Sequence, residues 1–296
     1  GGFHGMTLGS LSATSNRDSR RASAHLLSNT LRLPYDGYLP GEDGLAFLER
    51  SLKDPSSGIE PPACILVETV QGEGGLRAAS ASWLRRLRSI ATCCGALLIV
   101  DDIQAGCGRT GTFFSFEEAG IKPDIVTLSK SLSGYGLPFA VVLIKPELDQ
   151  WKPGEHNGTF RGNNLAFVTA KAAIDHFWSD DTFAKEVQAK GRYVSERLDA
   201  IVARYGEGNF STHGRGMFQG INCVNGEIAG RITRKAFAKG LMIETSGADD
   251  QVVKFLCPLT ISRENLKRGI DIVEQAIAEV CASEGEIPEV VDFFED

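Results

Sequence analysis

Four short, nearly uninterrupted apolar runs, "ACILVETV", "ALLIVDD", "DIVTLSK" and "AVVLIK", lie between Ala63 and Lys145. Strands of this kind, rich in aliphatic and β-branched residues with little polar alternation, suit a sheet covered on both faces, as parallel sheets are. The first interval agrees with that. "SWLRRLRSIATCC" sets Trp83, Leu84, Leu87, Ile90 and Ala91 at helical spacing, with Arg85, Arg86 and Arg88 on the other side. Those arginines read as the helix's solvated face rather than an anion site. Strands alternating with helices predict an α/β domain built on a mostly parallel sheet.

After Asn164 the helices lengthen, as in "NLAFVTAKAAIDHFW" and "DTFAKEVQAKGRYVSERLDAIVARYG". A short-strand region and a final helix, "RENLKRGIDIVEQAIAEVCA", follow. The expected organisation is a large α/β domain over 1–179, a smaller α+β domain over 180–284 and an acidic tail over 285–296, whose Phe293 and Phe294 could dock on a surface. The opening "GGFHGMTLGS" has no initiator methionine, basic start or apolar stretch, and reads as a chain whose N-terminal part is missing. With 31 basic against 38 acidic residues and a net charge of −7, nucleic acid is not an expected partner. No apolar run approaches the roughly 20 residues of a membrane helix. Seven cysteines without Cys-x-x-Cys spacing, mostly in apolar runs, suggest reduced thiols in a cytoplasmic protein.

Open parallel sheets bind ligands beyond the carboxyl ends of their strands. The unusual residues gather there: Glu68 after the first run, Asp101, Asp102 and Gln104 after the second, Lys130 after the third. Strand ends need turn formers, not a converging acid, amide and amine, so this is a candidate site. Lys130, followed by "SLSGYGLPF", is either a surface charge or an amine kept nucleophilic for Schiff-base chemistry. A neighbouring carboxylate favours the second reading. Pyridoxal phosphate needs an acidic partner for its pyridinium nitrogen, and Asp101 is the natural choice. "GCGRTG" matches G-x-G-x-x-G, but it starts five residues late and is followed by "TFFSFEEAGIKPD", which opens no phosphate-capping helix. It reads as a turn beside the cofactor.

Together "FHGMT", "VETVQGEGG", "VDDIQAGCGRTG", "TLSKSLSGYGLP" and "NGTFRGNNLA" resemble the class III, fold-type I pyridoxal-phosphate aminotransferases, and within them the group making L-2,4-diaminobutyrate for ectoine synthesis. The resemblance runs from Phe3 to the end of the last helix. It implies a seven-stranded large domain, a small domain, and a homodimer or larger assembly with active sites at the interfaces. Lys130 would tether the cofactor and move the proton, Asp101 would pair with the ring nitrogen, and Ile103 and Phe3 would pack on the two ring faces. Gln104 would lie near the phenolic oxygen, His4 would be a hydrogen-bonded helper, and Thr159 would reach the phosphate of the neighbouring subunit's cofactor. Glu68 would gate the substrate site.

Four departures accompany the resemblance. Asp102 and Thr69 stand where the family commonly has glutamate and proline, and Lys254, in "VVKFLCPLT", stands where many relatives carry a carboxylate-gripping arginine. A lysine still binds a carboxylate, as a point charge without the planar fork. The family's phosphate loop, expected upstream of Phe3 and not included in this sequence, is the fourth. Arg215 in "GRG" reads as a structural turn. The expected reaction passes the amino group of L-glutamate to L-aspartate 4-semialdehyde. Ornithine, acetylornithine or 4-aminobutyrate as substrate, and a non-catalytic paralogue, are the alternatives. No metal site is expected, and a monovalent cation such as K+ is left open.

Overall fold

The computed structural model describes residues 1–283 apart from Ser28, Pro40, Glu42 and Glu207, so the tail expected at 285–296 lies outside the described residues. The described residues form two compact units, one within 2–70 and 78–186, the other of Gly1, 71–77 and the described residues from Val187 on. The division falls inside a helix, between Glu186 and Val187, and not ahead of Asp180. The turn formers at "SDD" mark where that helix starts, whereas packing decides to which unit each of its turns belongs.

The first unit opens with α1 (Leu8–Ala13), α2 (Arg17–Arg21) and α3 (Gly44–Lys53). Asp43 caps α3, its carboxylate accepting from the N–H groups of Leu45 and Ala46, both at 3.0 Å. Then come β1 (Cys64–Val67), the two-residue strands β2 (Val70–Gln71) and β3 (Arg77–Ala78), α4 (Ala81–Cys93), β4 (Leu97–Asp101), β5 (Ile125–Leu128), β6 (Val141–Ile144), α5 (Asn164–Phe177) and the start of α6 (Thr182–Tyr205). All four apolar runs are strands. They pair in the order β1-β4-β5-β6, with β1, β4 and β5 parallel and β6 antiparallel to β5. Among the described residues the sheet therefore has four strands, against the seven that the resemblance implies for a whole large domain.

Leu84, Leu87, Ile90 and Ala91 of α4 pack with Val67, Leu98 and Val100 of the sheet and with Leu45 and Leu48 of α3. Each buried leucine contributes about 2 kcal/mol of transfer free energy. The α4 arginines are more than a solvated face. Arg86 pairs with Glu49 and Asp43, Arg85 donates to the Ala119 carbonyl at 3.3 Å, and Arg88 pairs with the buried Asp124 at 2.5 Å. Helical periodicity shows which residues leave the core, not which acids await them.

The second unit carries β7 (Phe210–Arg215), β8 (Phe218–Cys223), α7 (Gly226–Ala238), β9 (Glu244–Ser246), β10 (Val252–Phe255) and α8 (Arg263–Ser283). Its antiparallel sheet runs β7-β8-β10-β9, and α7 buries Ile228, Ala229, Ile232 and Ala236. Residues 71–77 join this unit through specific bonds. The Gly75 carbonyl accepts from His213 Nδ1 at 2.8 Å, the Glu73 carbonyl accepts from Gly247 N at 3.1 Å, and Leu76 is fully buried. A Cβ on Gly220 would come within 2.7 Å of Leu76 Cδ1, which is why glycine stands there. Arg215 ends β7 at the β7–β8 hairpin, as a structural turn would have it. No helix among the described residues is long and apolar enough to cross a membrane.

Candidate active site

The parallel register sets Asp101 of β4 opposite Thr127 of β5, three residues before Lys130. Strand β5 ends there, and Lys130 opens a short 3-10 turn, Lys130–Ser133, with a left-handed φ of +50°. For a side-chain-bearing residue that conformation costs about 1–2 kcal/mol, and such strain gathers at functional sites. The surroundings hold it in place. Leu132 is buried with Val126 and Leu128, Ser129 donates to the Phe139 carbonyl at 2.6 Å, and the Ser133 hydroxyl accepts from Gly136 N at 3.0 Å.

Asp101 is buried at the same edge, and donors surround its carboxylate. Oδ2 accepts from His4 Nδ1 at 2.7 Å; Oδ1 accepts from Thr127 Oγ1 at 3.1 Å and from Ile103 N at 3.2 Å. His4 is fixed in turn, its backbone N–H donating to Thr14 Oγ1 at 2.9 Å while that hydroxyl donates to the Gly5 carbonyl at 3.0 Å. Phe3, beside it, donates its N–H to Glu68 Oε2 at 3.0 Å. The Tyr35 hydroxyl bridges the Glu68 and Thr69 carbonyls at 2.8 and 2.9 Å.

The first unit thus links Phe3, His4, Glu68, Asp101 and Ile103 by hydrogen bonds at the edge where Lys130 also sits, with Gln104 on the turn after Ile103. Thr159 lies in an exposed stretch of the same unit, beside Phe160 with 98 % of its surface exposed. Lys254 belongs to the second unit, in β10, where its buried amine sits 3.2 Å from Glu73 Oε1 and 3.0 Å from Glu244 Oε1. Thr14, Tyr35 and Thr127 are part of the arrangement although sequence reading passed them over. Hydroxyls inside strands and turns carry no signal of their own until their partners are known. After "GCGRTG" the chain turns into a 3-10 segment, Glu117–Ala119, and no phosphate-capping helix opens there. Among the described residues no group of three or more His, Cys, Asp or Glu could hold a metal ion, and all seven cysteines are free.

Comparison with known proteins bears on this arrangement. The family described as aminotransferase class-III matches residues 1–277. Proteins named diaminobutyrate--2-oxoglutarate transaminase from Vibrio parahaemolyticus and Halomonas elongata are 56% and 57% identical, over 95% and 92% of this chain. In both cases this chain spans 66% of the relative's length. Among solved structures, a transaminase from the marine bacterium Virgibacillus matches with a TM-score of 0.84 over 95% of this chain and 67% of that one; at 18% identity this is a likeness of fold. The ornithine aminotransferase of Toxoplasma gondii matches with a TM-score of 0.78 at 25% identity, over 95% of this chain and 64% of that one. With a family match over nearly the whole chain and curated relatives identical at more than half of the aligned positions, the chain belongs to the class III aminotransferases.

Proposed function

We propose that this chain carries the catalytic residues of a pyridoxal-phosphate transaminase that moves the amino group of L-glutamate to L-aspartate 4-semialdehyde, giving L-2,4-diaminobutyrate and 2-oxoglutarate. The observation that carries the reading is the edge formed by Asp101, held by His4, and Lys130 on its left-handed turn. The names of the curated relatives support the choice of substrate, and Lys254 in place of arginine agrees with it.

The family implies pyridoxal phosphate, and the residues present fit it: an amine at a strained strand end, a buried carboxylate surrounded by donors, and an aromatic residue next to the histidine that braces that carboxylate. When bound, the cofactor supplies an electron sink that acidifies the hydrogen on the amine-bearing carbon. Lys130 would hold it covalently, then take that proton and return it to the adjacent position. Asp101, held in place by its donors, would pair with the ring nitrogen. His4 acts through Asp101 as a positioning residue. Ile103 and Phe3 would flank the ring, Gln104 would stand by its phenolic oxygen, and Thr159 would meet the phosphate of a second copy. Glu68 would gate the substrate site, and Lys254 would meet a substrate carboxylate.

Self-association completes the proposal. Tyr135, Val142, Phe160, Leu165, Phe167 and Val168 of the first unit are each at least half exposed, apolar surface of the kind that a partner covers. A cytoplasmic setting, use of the product in ectoine synthesis and a K+ requirement belong to the same reading; K+ is tested by assaying with and without it.

The experiment is the visible absorbance of the pyridoxal-phosphate-loaded intact protein before and after L-2,4-diaminobutyrate, with ornithine and 4-aminobutyrate in parallel. Loss of the lysine-bound cofactor band with diaminobutyrate alone is expected. Loss with another amine instead replaces the substrate, and absence of the band overturns the transaminase reading. Lys130→Ala should abolish turnover, and substantial steady-state activity in that variant removes Lys130 from its role.

A further inference from the structure

Thr69 and Asp102, at the ends of neighbouring strands, are joined in the structure. Thr69 Oγ1 donates to Ser115 Oγ at 2.5 Å, and the Ser115 hydroxyl donates in turn to Asp102 Oδ1. Ser115 N also donates to Asp102 Oδ2, at 3.1 Å. Thr69, Ser115 and Asp102 are 0%, 1% and 1% exposed, so water does not complete or replace this chain. Every proton in it runs the same way, towards the carboxylate, which is the order a charged acceptor at one end imposes.

Both ends of the chain sit beside candidate site residues. Thr69 directly follows Glu68, and its carbonyl is held by Tyr35 Oη and Ala79 N. Asp102 directly follows Asp101. Its N–H donates to the Thr127 carbonyl at 3.0 Å, extending the β4–β5 ladder past Asp101, and its carbonyl accepts from Gly106 N at 2.9 Å, closing the turn that carries Ile103 and Gln104. A Cβ on Gly106 would lie 2.6 Å from both Asp102 O and Oδ2, so the turn wraps the carboxylate too tightly for any side chain. Anchoring Asp102 therefore fixes the peptide whose N–H, that of Ile103, donates to Asp101.

We propose that Thr69, Ser115 and Asp102 are positioning residues, a buried relay that ties the end of β1 to the turn after Asp101 and sets how tightly the site holds its cofactor. The inference rests on the transaminase reading and deepens it. The relay touches no reacting atom; it acts through the turn. Thr69→Val keeps the shape and removes the donor, Thr69→Ser keeps the donor, and Ser115→Ala removes the link.

The test is the dissociation constant for pyridoxal phosphate, by absorbance titration of the intact protein, together with thermal unfolding of the cofactor-free form. Thr69→Val and Ser115→Ala should each weaken cofactor binding about tenfold, the consequence of one buried hydrogen bond lost. The Thr69→Val/Ser115→Ala double variant should be no weaker than the weaker single, because one chain is broken once. Thr69→Ser should stay within about twofold of the parent, since the donor survives. Unchanged affinity in Thr69→Val, losses that multiply in the double variant, or Thr69→Ser failing as badly as Thr69→Val would each overturn the relay. So would a loss of thermal stability with cofactor affinity intact. A parent protein that takes up no cofactor overturns the functional reading, and the relay with it; normal uptake by the parent and by every variant overturns the relay alone.

Discussion

Asp124 stands at the start of β5, the strand that ends at the candidate lysine, and its carboxylate gathers three elements. Oδ2 accepts from Leu98 N at 2.7 Å and from Arg88 of α4 at 2.5 Å, while Oδ1 accepts from Lys145 Nζ, just past β6, at 2.5 Å. Burial by itself raises the pKa of such an acid. The hydrogen bonds from Arg88, Lys145 and Leu98 more than reverse that, and Asp124 is held at about 2 against an ordinary 3.8. At 1.36 kcal/mol per pH unit, the difference between 3.8 and about 2 is worth about 2.4 kcal/mol of stability at neutral pH. The sign follows from the depression. The stabilisation is present above the unfolded value of 3.8 and is lost as pH falls through the folded value of about 2. Asp124→Asn keeps the shape and removes the charge. In urea unfolding at pH 7 the variant should be about 2–3 kcal/mol less stable than the parent. At pH 3, where the parent has lost about half of the linkage, the gap should narrow by about 1 kcal/mol. A gap that stays constant or widens between pH 7 and pH 3 would refute the reasoning, because an ionised Asp124 could not then be the source of the difference.

Two further changes probe the lysine turn and the carboxylate. Gly134 closes the turn with φ +72°, and a Cβ there would lie 2.6 Å from the Ala173 Cβ and 3.1 Å from the Thr169 carbonyl. Gly134→Ala should therefore cost about 2 kcal/mol or more, seen as a lower urea midpoint at unchanged slope; an unaltered midpoint would mean that α5 yields freely. Asp101→Asn should slow turnover on the order of a hundredfold or more by withdrawing charge from the ring nitrogen, and near-parental kinetics would assign that nitrogen to another group.

What could be read from the sequence was what each segment needs on its own account. Four apolar runs must be strands of a covered sheet, and Lys130, Asp101 and Glu68 stood out because strand ends ask for turn formers. The pairing of α4's arginines with Asp43, Glu49 and Asp124 was not legible, since a helix's periodicity says nothing about which acids lie across from it. The membership of 71–77 in the second unit was hidden for the same reason. The segment is continuous with β1 in the chain, yet its bonds are to His213 and Gly247, more than a hundred residues on.

The bond between His4 and Asp101 spans 97 positions, and that between Thr69 and Ser115 spans 46. In both, the sequence shows two polar residues that each have a plain local use, a turn hydroxyl or a surface imidazole, and only the fold, which brings the segment of His4 and the loop of Ser115 to the ends of β4 and β1, turns them into partners. The pairing of β1 with β4 makes Thr69 and Asp102 intelligible as one feature. Considered separately, each is an ordinary polar residue at a strand end. Once β1 and β4 lie side by side, a donor after β1 and a carboxylate after β4 lie at opposite ends of the same hydroxyl, so changing one alters the demand on the other. The chemistry of such an edge depends on how hydroxyls from the strands and turns around it hold the acid and the amine in place, as much as on which acid and amine they are.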